Sequence, residues 1–179
     1  MQDYQAYYAD KTVLITGGAG AIGSNLAAAV GALARSVVIL DDLSAGYEWN
    51  VPSLPNLLFV KGSVTDETAL KRVFGLRPQV VYHLAARVSV PESILYPRDY
   101  NSVNVGGTVA MMEAMRDVGV RRVVLASSGA VYGDKGEQPL SETTSPSPRA
   151  ASARSAASGS ASRRRRSGAA SGRGKRARA

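Results

Sequence analysis

Gly17, Gly20 and Gly23 lie in "TVLITGGAGAIGSNL", between a short apolar run and an Ala-rich stretch of helical character. Glycine at such a junction permits a tight turn, close approach of backbone to a pyrophosphate, and close packing of helix on strand. The helix N-terminus adds N–H donors and a positive dipole for the phosphates. Alone, the triplet is a weak signal, because a plain glycine-rich turn has the same composition. The next apolar run, however, ends in Asp41, 18 residues after Gly23, where a carboxylate can accept hydrogen bonds from a ribose diol. The pair points to a dinucleotide. A carboxylate repels a 2′-phosphate and no Arg follows closely to receive one, so NAD(H) is expected over NADP(H). Asp42 is read as a solvated loop acid, with the ribose as its alternative partner.

Positioning these groups requires strands and helices in alternation. Apolar runs occur at "TVLIT" (12–16), "SVVIL" (36–40), "LLFV" (57–60), "QVVYHL" (79–84) and "RVVLAS" (122–127). Nearly continuous Val, Ile and Leu suit strands buried on both faces of a parallel sheet. Helical segments are expected at 21–34, 66–74 and 100–119, the second capped by Thr65 or Asp66 and the third ended by Gly119. The alternation implies right-handed crossovers and a doubly wound α/β sheet. Tyr4, Tyr7 and Tyr8 precede the first strand and are expected to cover its edge. Met111, Met112 and Met115 fit helical packing. His83 ends a buried strand, where a packed, hydrogen-bonded histidine is the expectation and catalysis the alternative.

Composition divides the 179 residues in two. Residues 1–148 hold 12 Lys and Arg against all 14 Asp and Glu, whereas residues 149–179 hold nine Arg, one Lys and no acid, so the net +8 belongs to the tail. The folded part therefore shows no basic face for nucleic acid. With no cysteine and one histidine, disulfides, thiolate sites, a Cys nucleophile and a zinc cluster are excluded. "MQDYQAYYAD" is not a signal peptide and no run has the length of a membrane span, so a cytoplasmic protein with no membrane partner is expected. The expected organisation is an N-terminal extension (1–10), a dinucleotide-binding domain (11–135), a Pro/Ser/Thr loop (136–148) and a disordered tail (149–179) with no apolar residue larger than Ala.

Further motifs carry a resemblance: "ILDDLSAG" (39–46), "VYHLAARVSVPES" (81–93), "NVGGT" (104–108) and "SSGAVYGD" (127–134), with the glycine triplet. Together they resemble the extended short-chain dehydrogenase/reductase family, the NAD-dependent epimerase/dehydratases acting on nucleotide sugars, and among these the UDP-glucose 4-epimerase-like proteins. The resemblance runs from about Lys11 to Gly133. It implies a Rossmann-type domain, here incomplete, with Gly17, Gly20 and Gly23 at the pyrophosphate and Ala21 and Ile22 supplying backbone donors. Asp41 would hold the adenosine ribose. Ser63, followed by Val64, stands where many relatives have an Asp that meets the adenine amino group. Leu84, Ala85 and Ala86 would run beside the cofactor, and Asn104 would orient the neighbouring strand ends. Val88 stands where some family epimerases have a Lys near the cofactor phosphates.

The family's reaction moves a hydride from the sugar to nicotinamide while a Tyr takes the hydroxyl proton, assisted by a Ser and by the Lys of Y-x-x-x-K. Ser128 matches that Ser; its alternative is to cap the turn after the strand. The Tyr and Lys are absent. In "PRAASA" (148–153), Arg149 fills the Tyr place and Ala153 the Lys place, and a guanidinium cannot act as a base. The sugar-binding lobe does not follow, so the chain is expected to be inactive and the homodimer common in the family is not expected. A non-catalytic NAD-binding module is the alternative. Loss of family pattern, loss of large apolar residues and a switch to amino acids with GC-rich codons all begin near Pro148, as a frameshift would produce. A native tail binding polyanions through "RRRR" (163–166) is the rival, and reading the gene one base out of frame separates the two.

Overall fold

The apolar runs form five strands: β1 Thr12–Thr16, β2 Ser36–Asp41, β3 Leu57–Lys61, β4 Val80–His83 and β5 Arg122–Leu125. They are seen in a computed structural model of the chain, which describes residues 4–133 and 139–148. Every pairing is parallel, in the order β3-β2-β1-β4-β5. This is the doubly wound, Rossmann-type sheet.

Successive strand residues point to opposite faces, and each face has its own core. Leu14, Val38, Leu40, Val60 and Val81 pack with Leu70, Val73 and Phe74 of α3 (Glu67–Gly75) and Met111 and Met115 of α6 (Thr108–Val118). Val13, Ile15, Val37, Ile39 and Val80 pack with Ala27 and Val30 of α2 (Ala21–Gly31). Cover on both faces is why β1 and β2 read as unbroken apolar runs rather than alternating ones. β5, an edge strand, leaves Val124 and Leu125 half-exposed.

Helix ends follow local chemistry. Asp66, not Thr65, caps α3, its Oδ1 accepting from the Thr68 N–H at 2.8 Å. Gly119 ends α6 in the left-handed conformation, φ 77°, which only glycine adopts without strain. Three helical features differ from expectation. α2 stops at Gly31 instead of residue 34; a Cβ at Gly31 would lie 2.4 Å from a Leu54 methyl. The long helix of 100–119 is divided into α5 (Pro97–Asn101), a π-helical turn (Ser102–Gly107) and α6. α4 (Val90–Leu95), capped by Ser89, was not legible, because Ile94 and Leu95 face outward and give no apolar period.

Tyr4–Tyr8 form a short helix, α1. They cannot cover an edge of β1, since β1 is the middle strand; Tyr7 and Tyr8 instead lie on the α2-side core, where Tyr8 meets the Tyr82 hydroxyl of β4. Met112 is 38% exposed and does not join the packing of Met111 and Met115. No helix among the described residues is long and apolar enough to cross a membrane. Of the Pro/Ser/Thr loop, residues 139–148 are described and Ser147 donates to the Val131 carbonyl at 2.8 Å. The tail expected to be disordered, residues 149–179, lies outside the described residues.

Candidate cofactor site

All five strands run the same way, so the segments following β1, β2, β4 and β5 emerge at one end of the sheet. The chain order reverses between β1 and β4, and a crevice at such a switch point is where open α/β sheets bind ligands.

The three glycines serve different ends. Gly17 has φ +72°, and a Cβ there would lie 2.7 Å from the Ala85 nitrogen. A Cβ at Gly23 would lie 2.2 Å from the Gly17 oxygen and 2.7 Å from the Gly18 Cα. Both are glycine because the fold leaves no room for anything else. At Gly20 the nearest atom to an added Cβ is 3.4 Å away, an ordinary contact. The protein itself has room for a methyl there, so the backbone at Gly20 is open to approach from outside. Gly20 is also the N-cap of α2, and the amides of Ala21, Ile22 and Gly23 have no carbonyl one turn back within the helix. A glycine without internal cause, beside three outward N–H donors at the positive end of a helix, fits a pyrophosphate.

Asp41 ends β2 almost fully buried. Its Oδ2 accepts from the Ala19 N–H at 2.9 Å and its Oδ1 from the Leu43 N–H at 2.8 Å. Each oxygen retains a lone pair, enough for a ribose diol. Asp41 thus also fixes the glycine loop. The Ala19 carbonyl is held from the other side by the Tyr47 N–H at 3.2 Å and the Asn50 side-chain amide at 3.0 Å. Ala19, Tyr47 and Asn50 carried no sequence signal for this clamp, which depends on the 44–50 loop folding back over the glycines. Asp42 is exposed and its carboxylate accepts from the Ser44 N–H at 2.9 Å.

Ser63 lies in the turn after β3, hydrogen-bonded through its hydroxyl to Thr65 at 2.9 Å. The Val64 side chain is in the core against Gly107, which leaves its backbone for any ligand. Leu84 and Ala85 touch the glycine loop at Gly17, and Ala86 is exposed beyond them. Asn104, in the π-helical turn, holds Arg87 at both backbone atoms: Oδ1 accepts from its N–H at 2.8 Å and Nδ2 donates to its carbonyl at 3.0 Å. Ser128 follows β5, and its Oγ accepts from the Ala130 N–H at 3.2 Å. It therefore makes the capping contact while remaining exposed at the sheet end. Arg149 and Ala153 lie outside the described residues.

His83 is buried between two threonines, 2.7 Å from Thr16 and 2.9 Å from Thr108. Burial lowers its pKa to about 4 from the usual 6.5. Between these values the unfolded chain binds a proton that the folded chain does not. Stability is then full above pH 6.5 and falls as pH is lowered toward 4, by roughly 3 kcal/mol. Thermal unfolding across this range should show the decline, and His83→Asn should flatten it.

Known proteins share this fold. The model of the NAD dependent epimerase/dehydratase family matches residues 13–160. The chain is 39% identical over 137 residues to a UDP-glucose 4-epimerase of Streptomyces lividans, covering 75% of this chain and 41% of that protein. Against a UDP-glucose 4-epimerase of Mycolicibacterium smegmatis it is 42% identical over 144 residues, covering 78% and 46%. Among solved structures, an epimerase of Methanothermobacter thermautotrophicus superposes with a TM-score of 0.82 at 40% identity, over 91% of this chain and 49% of that one. A Brucella ovis UDP-glucose 4-epimerase in complex with NAD gives a TM-score of 0.76 at 31% identity, over 85% and 46%. The chain spans less than half the length of the curated relatives it matches.

Proposed function

The chain belongs to the NAD dependent epimerase/dehydratase family, and we propose that its described residues form the NAD-binding half of a nucleotide-sugar epimerase or dehydratase. The observation that carries this reading is Gly20, a glycine that the fold does not need, set between two that it does and facing the start of α2. Pyrophosphate is assigned to the amides of Ala21, Ile22 and Gly23, ribose to the free lone pairs of Asp41, adenine to the turn at Ser63 and Val64, and the nicotinamide end to Leu84–Ala86. NAD supplies a reversible hydride acceptor for a sugar carbon. The chain's part is to orient it, with Asn104 fixing the turn beyond Ala86 and the Ser128 hydroxyl available to a sugar hydroxyl at the end of β5.

A proton acceptor is the missing part. No Tyr follows Tyr132, and the Lys after Lys135 is Lys175 in the basic tail. Loss of a general acid/base removes ~10²–10⁴ in rate. The frameshift reading of residues beyond Pro148 remains our proposal for how the pair was lost; the family match nonetheless continues to residue 160. The 179-residue chain is expected to bind NAD in preference to NADP in a calorimetric titration and to convert no UDP-sugar in a coupled assay. Equal affinity for both cofactors would count against the Asp41 assignment. Turnover that Ser128→Ala abolishes would show that another base is present.

A further inference from the structure

We propose that His83 is a positioning residue: held in its Nε2–H form between Thr16 and Thr108, it closes a hydrogen-bonded circuit that fixes the Ala85–Arg87 turn. The donors and acceptors leave one solution. The Thr108 hydroxyl lies 2.8 Å from the Asn104 carbonyl, which can only accept, so the single hydroxyl proton is committed there. Thr108 Oγ1 must then accept from the imidazole, and the proton is on Nε2. A neutral ring has a lone pair at Nδ1, which takes the Thr16 hydroxyl proton. Thr16 Oγ1 in turn accepts from the Ala85 N–H at 3.3 Å. The opposite tautomer would set two lone pairs against each other at Thr108.

The bonds run in one direction, from the Ala85 amide through Thr16, His83 and Thr108 to the Asn104 carbonyl, and bonds so aligned strengthen one another. The side chain of Asn104 then returns to both backbone atoms of Arg87. The turn is tied at Ala85 through the sheet and at Arg87 through the π-helical turn. Three elements meet on one imidazole, β1, β4 and α6, and Thr108 carries the link on to the π-helical turn. No buried side-chain nitrogen or oxygen among the described residues lacks a partner. That this turn lines the cofactor rests on the proposed function; the circuit itself does not.

The chain has a single histidine, so the 15N–1H correlations of its ring are unambiguous. Without cofactor at pH 7, Nε2 should be protonated and Nδ1 bare. A protonated Nδ1, or a mixture of tautomers, would overturn the circuit, and this measurement needs no variant. Thr108→Val should mix the tautomers, speed amide exchange at Ala85 and Arg87, and weaken NAD binding on the order of tenfold; Thr108→Ser should restore all three. A folded Thr108→Val chain with unchanged exchange at both amides also overturns the circuit. If the wild-type tautomer is as assigned but NAD does not bind, the cofactor reading fails and the circuit stands.

Discussion

One methyl group at Gly23 should abolish NAD binding and destabilise the whole chain, while the same methyl at Gly20 should remove binding and spare the fold. The atoms that a Gly23 Cβ would strike are the Gly17 oxygen at 2.2 Å, the Gly18 Cα at 2.7 Å and the Gly17 carbonyl carbon at 2.9 Å. All are backbone, with no rotamer into which to retreat. The glycine loop would have to lift from α2, and Gly17 is itself pressed against Ala85 and bonded through its N–H to the Leu40 carbonyl at 2.8 Å. Overpacking of a tight core costs about 1–3 kcal/mol, and more where backbone must move. Gly20→Ala meets nothing closer than 3.4 Å and changes an N-cap, which costs about 1 kcal/mol. Thermal unfolding and calorimetry on both variants separate the cases. A Gly20→Ala chain that binds NAD normally would remove the pyrophosphate from this loop, and a Gly23→Ala chain of unchanged Tm would show that the loop yields freely.

Removal of the Asp41 side chain is expected to act twice. The fully buried Ala19 amide and the Leu43 amide lose their acceptor, and each amide left unpaired costs about 1–3 kcal/mol. Because Ala19 lies within the glycine loop, affinity for both cofactors should fall in Asp41→Ala. A fall in NAD affinity alone would therefore say little about the ribose. The diagnostic quantity is the ratio of the two affinities. Asp41→Asn retains one carbonyl oxygen for a backbone amide, so part of the stability returns, but the charge that repels a 2′-phosphate is gone. Its preference for NAD over NADP should shrink by about tenfold or more, as expected for loss of a charge-assisted hydrogen bond. An unchanged ratio in Asp41→Asn would place discrimination at other residues.

Several features were legible because their causes are local. Burial on both faces makes a strand continuously apolar, so β1 and β2 could be read within five or six residues. A helix end demands a cap within one turn, so the cap of α3 could be narrowed to Thr65 or Asp66 and Gly119 could be placed. Glycine spacing and the acid at the end of the next strand are set by the length of one strand-helix-strand unit, which is why Gly17, Gly20, Gly23 and Asp41 stand together in the sequence as in the structure. α4 escaped because its apolar residues face outward, and the π-helical turn because its sequence, "SVNVGG", obeys no period that separates it from the helices on either side.

What only the tertiary structure decided is the division of labour among those residues. The sequence made three glycines equivalent; the close approach of Gly23 to Gly17, and of Gly17 to Ala85, left Gly20 as the one with room for a Cβ, which is why we assign it to the ligand. The sequence offered Asp41 to a ribose; the folded 44–50 loop showed that it shares Ala19 with Tyr47 and Asn50. His83 was one histidine at the end of a strand until Thr16, 67 residues before it, and Thr108, 25 residues after it, closed on its two nitrogens. Such contacts depend on which strand lies beside which, and strand order is a property of the assembled sheet. No pattern within a single segment carries it, because the atoms that meet belong to different segments.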